Sequence, residues 1–211
     1  MAPWQVQHVL EAHLSQEVAD KSFKTVPPQV TPTHEMHMYV VARDIGMAPC
    51  VQDGMLSLAL CKPVIRSRAA VGDWLVGHPP KDASATDGAI LYIALITSVM
   101  TPSEYHNHTG WDRGDQLYRT DTGTGKLVHR RNIKYHDNPD SYRRDMKGNV
   151  LLSTRYNRWH CVDPLKWNEF EGYQRRGDKT VTITSRQRQH LLNCIMQAYN
   201  GKYAKFMPCT T

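Results

Sequence analysis

Lys62, Arg66 and Arg68 follow directly on the apolar run 55–61 of this 211-residue chain. A guanidinium offers two parallel N–H donors and an ammonium offers a point charge, which is what a phosphate or carboxylate needs. Pro63 stiffens the connection between them. Gly72-Asp73-Trp74 then opens the next apolar run, 71–77, and an aromatic at a strand start either fills the core or stacks on a base. Candidate carboxylates in the same region are Asp44 in the turn-prone Asp44-Ile45-Gly46 and Asp73 in the Gly-Asp turn. Each can supply acid–base or hydrogen-bonding capacity, and each is equally a good turn residue. The region reads as a sheet edge suited to a planar anion, with a nucleotide the obvious case; a solvated basic loop explains the cations equally well.

Further along, Arg155-Tyr156-Asn157-Arg158-Trp159-His160 interleaves aromatics with arginines. That pattern fits a base-stacking surface with phosphate contacts, or a part-buried aromatic pair flanked by surface arginines. The eleven histidines complete no zinc pattern: His34-Glu35-Met36-His37 is one residue short of HExxH, and no CxxC occurs. No metal is therefore assigned, and no cofactor motif stands out. Asp121-Thr122-Gly123-Thr124-Gly125-Lys126 echoes a phosphate loop, but Thr120 replaces the first glycine and Leu127 the closing Ser or Thr. It reads as a polar turn.

Composition bounds the rest. With 40% hydrophobic and 22% charged residues the chain is globular and long enough for a real core. The formal charge of +6 favours phosphate-bearing partners. Five dispersed cysteines make no disulfide framework, and there is neither a signal peptide nor a membrane-length apolar run, so a cytoplasmic protein is expected.

Helical spacing over 6–23 ends before Val26-Pro27-Pro28, giving a helical extension and linker over 1–33 and a single domain over 34–211. Strands are predicted at 36–42, 55–61, 74–77, 89–100, 150–154 and 181–184. Thr101-Pro102-Ser103-Glu104 carries the cap and first-turn signals of a helix. Ser185 is expected to cap a second, C-terminal helix. The stretch 106–149 is polar and lacks periodicity, which marks a functional loop or a mobile segment. The sum is an α+β fold: a mixed, mainly antiparallel sheet or pseudo-barrel, with peripheral helices and an N-terminal helical appendage.

The segments 39–49, 58–66 and 71–77, followed in order by Ile90-Leu91-Tyr92-Ile93-Ala94, Tyr105, Gly114-Asp115-Gln116-Leu117-Tyr118 and Val150-Leu151-Leu152-Ser153, resemble the nucleotide modification associated domain 2 family. The resemblance implies a compact domain, of phage or bacterial type, that acts on or recognises modified nucleotides. It carries over Asp44, Cys61, Lys62, Arg66, Asp73 and Asp115 as site residues. After Leu151 the family tends toward an aromatic pair followed by glycine, where this chain has Tyr156-Asn157-Arg158-Trp159-His160.

The expected function is nucleotide- or nucleic-acid-directed work beside DNA base modification. Lys62 and Arg66 would hold phosphate; Trp74, Tyr156 or Trp159 would stack a base; Asp44 or Asp73 would do acid–base work. Two alternatives stand beside it. One is a reader that flips a modified base into an aromatic pocket without chemistry. The other is an interaction protein that contacts a host protein through its N-terminal helix.

Overall fold

The computed structural model describes residues 34–42, 45–80, 89–130, 136–158, 165–166, 179–182 and 184–189. The expected N-terminal helix, most of the C-terminal helix, Asp44 and Trp159 lie outside these residues.

Strand order in the larger sheet is β11-β6-β4-β1-β13, built from β1 (Glu35–Val40), β4 (Trp74–His78), β6 (Tyr92–Leu95), β11 (Arg155–Arg158) and β13 (Lys179–Thr182). Only β1 and β4 run parallel; the other pairs are antiparallel. A second sheet, all antiparallel, has the order β2-β3-β10-β7, from β2 (Cys50–Gln52), β3 (Met55–Leu58), β7 (Ser98–Met100) and β10 (Val150–Ser153). Two short ribbons complete the strands: β5 (Ala89–Ile90) with β12 (Leu165–Lys166), and β8 (Tyr118–Thr120) with β9 (Leu127–His129). Among the described residues, the short helices α1 (Pro63–Arg68), α2 (Pro102–His106) and α3 (Pro139–Asp145) lie between these strands in chain order. The class is α+β; among the described residues the sheets stay open, so the barrel alternative is not adopted.

Alternation along the second sheet builds two cores, because successive strand side chains point to opposite faces. Leu56, Leu58 and Leu151 join Tyr39, Leu75, Tyr92 and Ile65 in one cluster between the sheets and α1. Met55, Val150 and Leu152 point the other way, onto Tyr105, Leu117 and Tyr118. The second cluster carries the functional geometry, since it seats α2, β8 and α3 on the back of the sheet.

The run 89–100, read as one strand, is three. It leaves the larger sheet at Ile96-Thr97 and enters the second as β7, while β10 and β11 make the reverse crossing at Thr154. Hydrogen bonds hold the shared corner: Thr97 N donates to Leu152 O at 2.9 Å and Thr154 N to Thr97 Oγ1 at 3.1 Å.

The basic connection after β3 is the helix α1, with Pro63 at its first position and Lys62 as its N-cap residue. The expected α2 forms with a complete capping box between Thr101 and Glu104. The stretch 106–149 is not one loop: it holds β8, β9 and α3. Its Asp121–Lys126 portion is a hairpin turn in which Asp121 N donates to Lys126 O at 2.8 Å. Residues 185–189 are helical, and their cap is Thr184, one residue earlier than expected; its Oγ1 accepts from Gln187 N at 3.2 Å.

Candidate active site

Cys61 ends the connection from β3 into α1. Both it and Lys62 have left-handed backbones, with φ of 56° and 44°. Such conformations cost free energy in non-glycine residues and persist where the surroundings fix them. Here the turn throws the half-buried Cys61 side chain out of the strand, toward the segment that follows β9.

That segment brings an imidazole. The Nε2 of His136 lies 3.5 Å from Cys61 Sγ, and its Nδ1 lies 2.5 Å from Oδ2 of Asp145. A carboxylate only accepts, so Nδ1 carries a proton and Nε2 is the atom turned to sulfur. Asp145, fully buried at the end of α3, accepts the main-chain N–H of Cys61 on Oδ1 at 2.8 Å and the hydroxyl of Tyr118 on Oδ2 at 2.8 Å. His136 also has a left-handed backbone, φ 59°, and its carbonyl accepts from His129 Nε2 at 3.0 Å. The hydrogen bond to Asp145, then that to Cys61, raises the His136 pKa to about 10.

The local sequence explains how α3 carries Asp145 to this place. Asn138 caps the helix by accepting from Ser141 N at 2.8 Å, and Pro139 occupies the first turn. The turn after α3 then docks on α1: Asn149 N donates to Arg66 O at 3.0 Å. Gly148, at φ 84°, makes this approach, and a Cβ there would stand 2.8 Å from backbone atoms of Arg66 and Ser67.

Arg66 stitches the two halves together. It is fully buried, and its guanidinium donates to the carbonyls of Asn149 (2.7 Å), Cys61 (3.2 Å) and Asp145 (2.7 Å). Burial lowers its pKa to about 10, with Asp145 and Cys61 opposing that shift. Arg66, expected to hold phosphate, has its donors on main-chain carbonyls inside the protein. Lys62 is half-buried beside Cys61, with Nζ 4.8 Å from the centroid of the Tyr39 ring.

The other expected residues sit elsewhere. Asp73 joins the starts of β1 and β4, accepting from Glu35 N (3.0 Å), Ala70 N (2.9 Å) and His37 Nε2 (3.1 Å). Asp115 is buried with Ser57 Oγ and Tyr105 OH, each donating to it at 2.6 Å, and Arg113 Nε stands 3.7 Å away. Trp74 is fully buried, so its ring has no open face on which a base could stack. Tyr156 packs half-buried against the cluster between the sheets.

Cys61, His136 and Asp145 form the group of described residues whose ligand atoms could converge on a metal. Their hydrogen bonds argue against that use. The Asp145 oxygens are committed to Cys61 N, Tyr118 OH and His136 Nδ1, leaving a thiol and one imidazole nitrogen. A thiol, an imidazole in reach of it and a carboxylate orienting the imidazole is an arrangement that covalent catalysis can use.

Sequence reasoning placed Cys61 among the site residues through family resemblance but missed His136 and Asp145. The available signal was the long polar stretch 106–149, which contains both, and the Asn-Pro helix start just after His136.

Fold and geometry together define an α+β protein with a hydrogen-bonded thiol, imidazole and carboxylate at a strand-to-helix turn. The family model for nucleotide modification associated domain 2 matches residues 33–208, and the chain belongs to that family. Neither the curated proteins nor the solved structures contain a match. No helix among the described residues is long and apolar enough to cross a membrane.

Proposed function

We propose that the protein is a thiol-dependent enzyme of nucleotide modification, with Cys61 as nucleophile, His136 as general base and acid, and Asp145 as the group that orients His136. The observation that carries this reading is the continuous chain Cys61 Sγ, His136 Nε2, His136 Nδ1, Asp145 Oδ2, with links of 3.5 Å and 2.5 Å. Relays of this kind act on electrophilic carbon, and the reaction assigned here is transfer or hydrolysis of an acyl group. With the His136 pKa raised to about 10, Nε2 already holds a proton at neutral pH, and Cys61 attacks as the thiolate paired with it, sulfur bonding to the acyl carbon. The bond to the leaving oxygen or nitrogen then breaks, and the Nε2 proton passes to that atom. A water, or a hydroxyl or amine on a nucleotide, attacks the thioester and gives its proton to Nε2 as the carbon–sulfur bond breaks, restoring the Cys61 thiolate beside protonated His136. Lys62, next to the nucleophile, is the cation we assign to the substrate's phosphate.

Substoichiometric iodoacetamide at neutral pH, with peptide mapping, tests the relay. Cys61 should be alkylated roughly tenfold or more faster than a free thiol such as glutathione, and His136→Ala should abolish that excess. Cys61 reacting no faster than glutathione would sink the proposal and favour a reader without chemistry.

A further inference from the structure

We infer that Tyr118 is a positioning residue for the Cys61–His136 pair and acts through Asp145; the inference rests on the nucleophile reading above. Its hydroxyl donates at 2.8 Å to Oδ2, the same oxygen that meets Nδ1 of His136. The ring is fully buried and is held edge-on by His106 (5.0 Å), His129 (5.0 Å) and Tyr142 (5.5 Å). These contacts are made by the ring and would be met by phenylalanine; the hydroxyl is what Asp145 uses. Burial, and then the charge of Asp145, hold the phenol far above its ordinary pKa, so it remains a donor across the working range.

Two effects follow. The carboxylate oxygen is pinned between Tyr118 and His136, which fixes the imidazole plane and the direction of Nε2 toward sulfur. The hydroxyl also takes a share of the carboxylate's negative charge that would otherwise act on His136 alone. His136 therefore keeps its proton less tightly than beside an undivided carboxylate, as a group that must return a proton to a leaving atom requires. Among the described residues, the titratable and charged groups facing this assembly are Cys61, Arg66, His106, His129, Arg130, Tyr142 and His136 itself.

The test follows the His136 imidazole by NMR across pH in the full chain, with and without Tyr118→Phe, and again in a Cys61→Ser background. The expected result is an upward move of the His136 titration by roughly half a unit to one unit. The high-pH limb of Cys61 alkylation should move with it. Site-specific 3-fluorotyrosine at position 118, the same shape and a stronger donor, should move the titration down; it decides the matter if Tyr118→Phe does not fold. An unchanged His136 titration in either folded variant overturns the inference. A titration that follows position 118 while Cys61 stays as unreactive as glutathione would uphold the Tyr118–Asp145–His136 coupling and reject the nucleophile reading alone.

Discussion

Asp145 Oδ1 accepts the main-chain N–H of Cys61 at 2.8 Å, while its other oxygen accepts from His136. One carboxylate therefore fixes both the backbone of the thiol-bearing residue and the plane of the imidazole facing it. The thiol is placed by its own peptide group and not only by its side chain.

Asp145→Asn tests that double function. An amide keeps the size but turns an NH2 toward at least one of three donors, so part of the set is lost. Cys61 alkylation at neutral pH should fall by roughly a hundredfold, while far-UV circular dichroism stays unchanged. Unaltered reactivity would show that the carboxylate does not govern the pair.

Gly148→Ala should undo the docking of α3 on α1. The left-handed φ and the 2.8 Å approach to backbone both oppose a Cβ, at a cost of about 1–3 kcal/mol. Thermal denaturation should show the loss of stability, and Cys61 reactivity should fall with it. A variant as stable as the parent would mean that the two segments do not depend on this contact.

His136 makes stability pH-dependent in a stated direction. Its folded pKa is raised to about 10 from an ordinary value of 6.5, so folding favours the proton-bound form. The stabilisation is complete below about pH 6.5 and is lost as pH rises through about 10. Urea denaturation at a series of pH values should show this decline, and His136→Gln should flatten it. Parallel curves for the two proteins would contradict the assignment.

Asp73→Asn should lower stability without touching the thiol. Burial pushes its carboxyl up, but hydrogen bonds from His37, Ala70 N and Glu35 N outweigh that and hold it below the usual 3.8. Its contribution is present above the ordinary value and lost as pH falls through the folded one. Replacing an acceptor of three bonds by an amide should cost about 2–4 kcal/mol, read as a shift in denaturation midpoint. Cys61 alkylation in the folded protein should keep its parental rate; a loss would return Asp73 to the site.

The parts of the fold that sequence expressed are those with local causes. Apolar runs produced β1, β3, β4 and β10, and Thr101 with Glu104 marked the start of α2 through its capping box. The corner at Ile96-Thr97 left no trace, because both residues suit a strand and the change of sheet is decided by partners on β10 and β11. The relay was hidden for a related reason. Cys61 lies 75 positions from His136 and 84 from Asp145, so no spacing joins them. Arg66 and Asp73 looked available because charged residues usually face solvent. Their fates were set by carbonyls and amides that only the folded chain brings within reach.

The junction of α1 with the turn after α3 gives the protein a timetable. The thiol emerges early in synthesis, and the carboxylate that completes its setting arrives more than eighty residues later. Until the later segment docks, Cys61 has neither its imidazole nor its backbone anchor. On the proposed reading, reactivity is conferred only once that segment has docked, and a copy in which it has not docked is silent instead of indiscriminate.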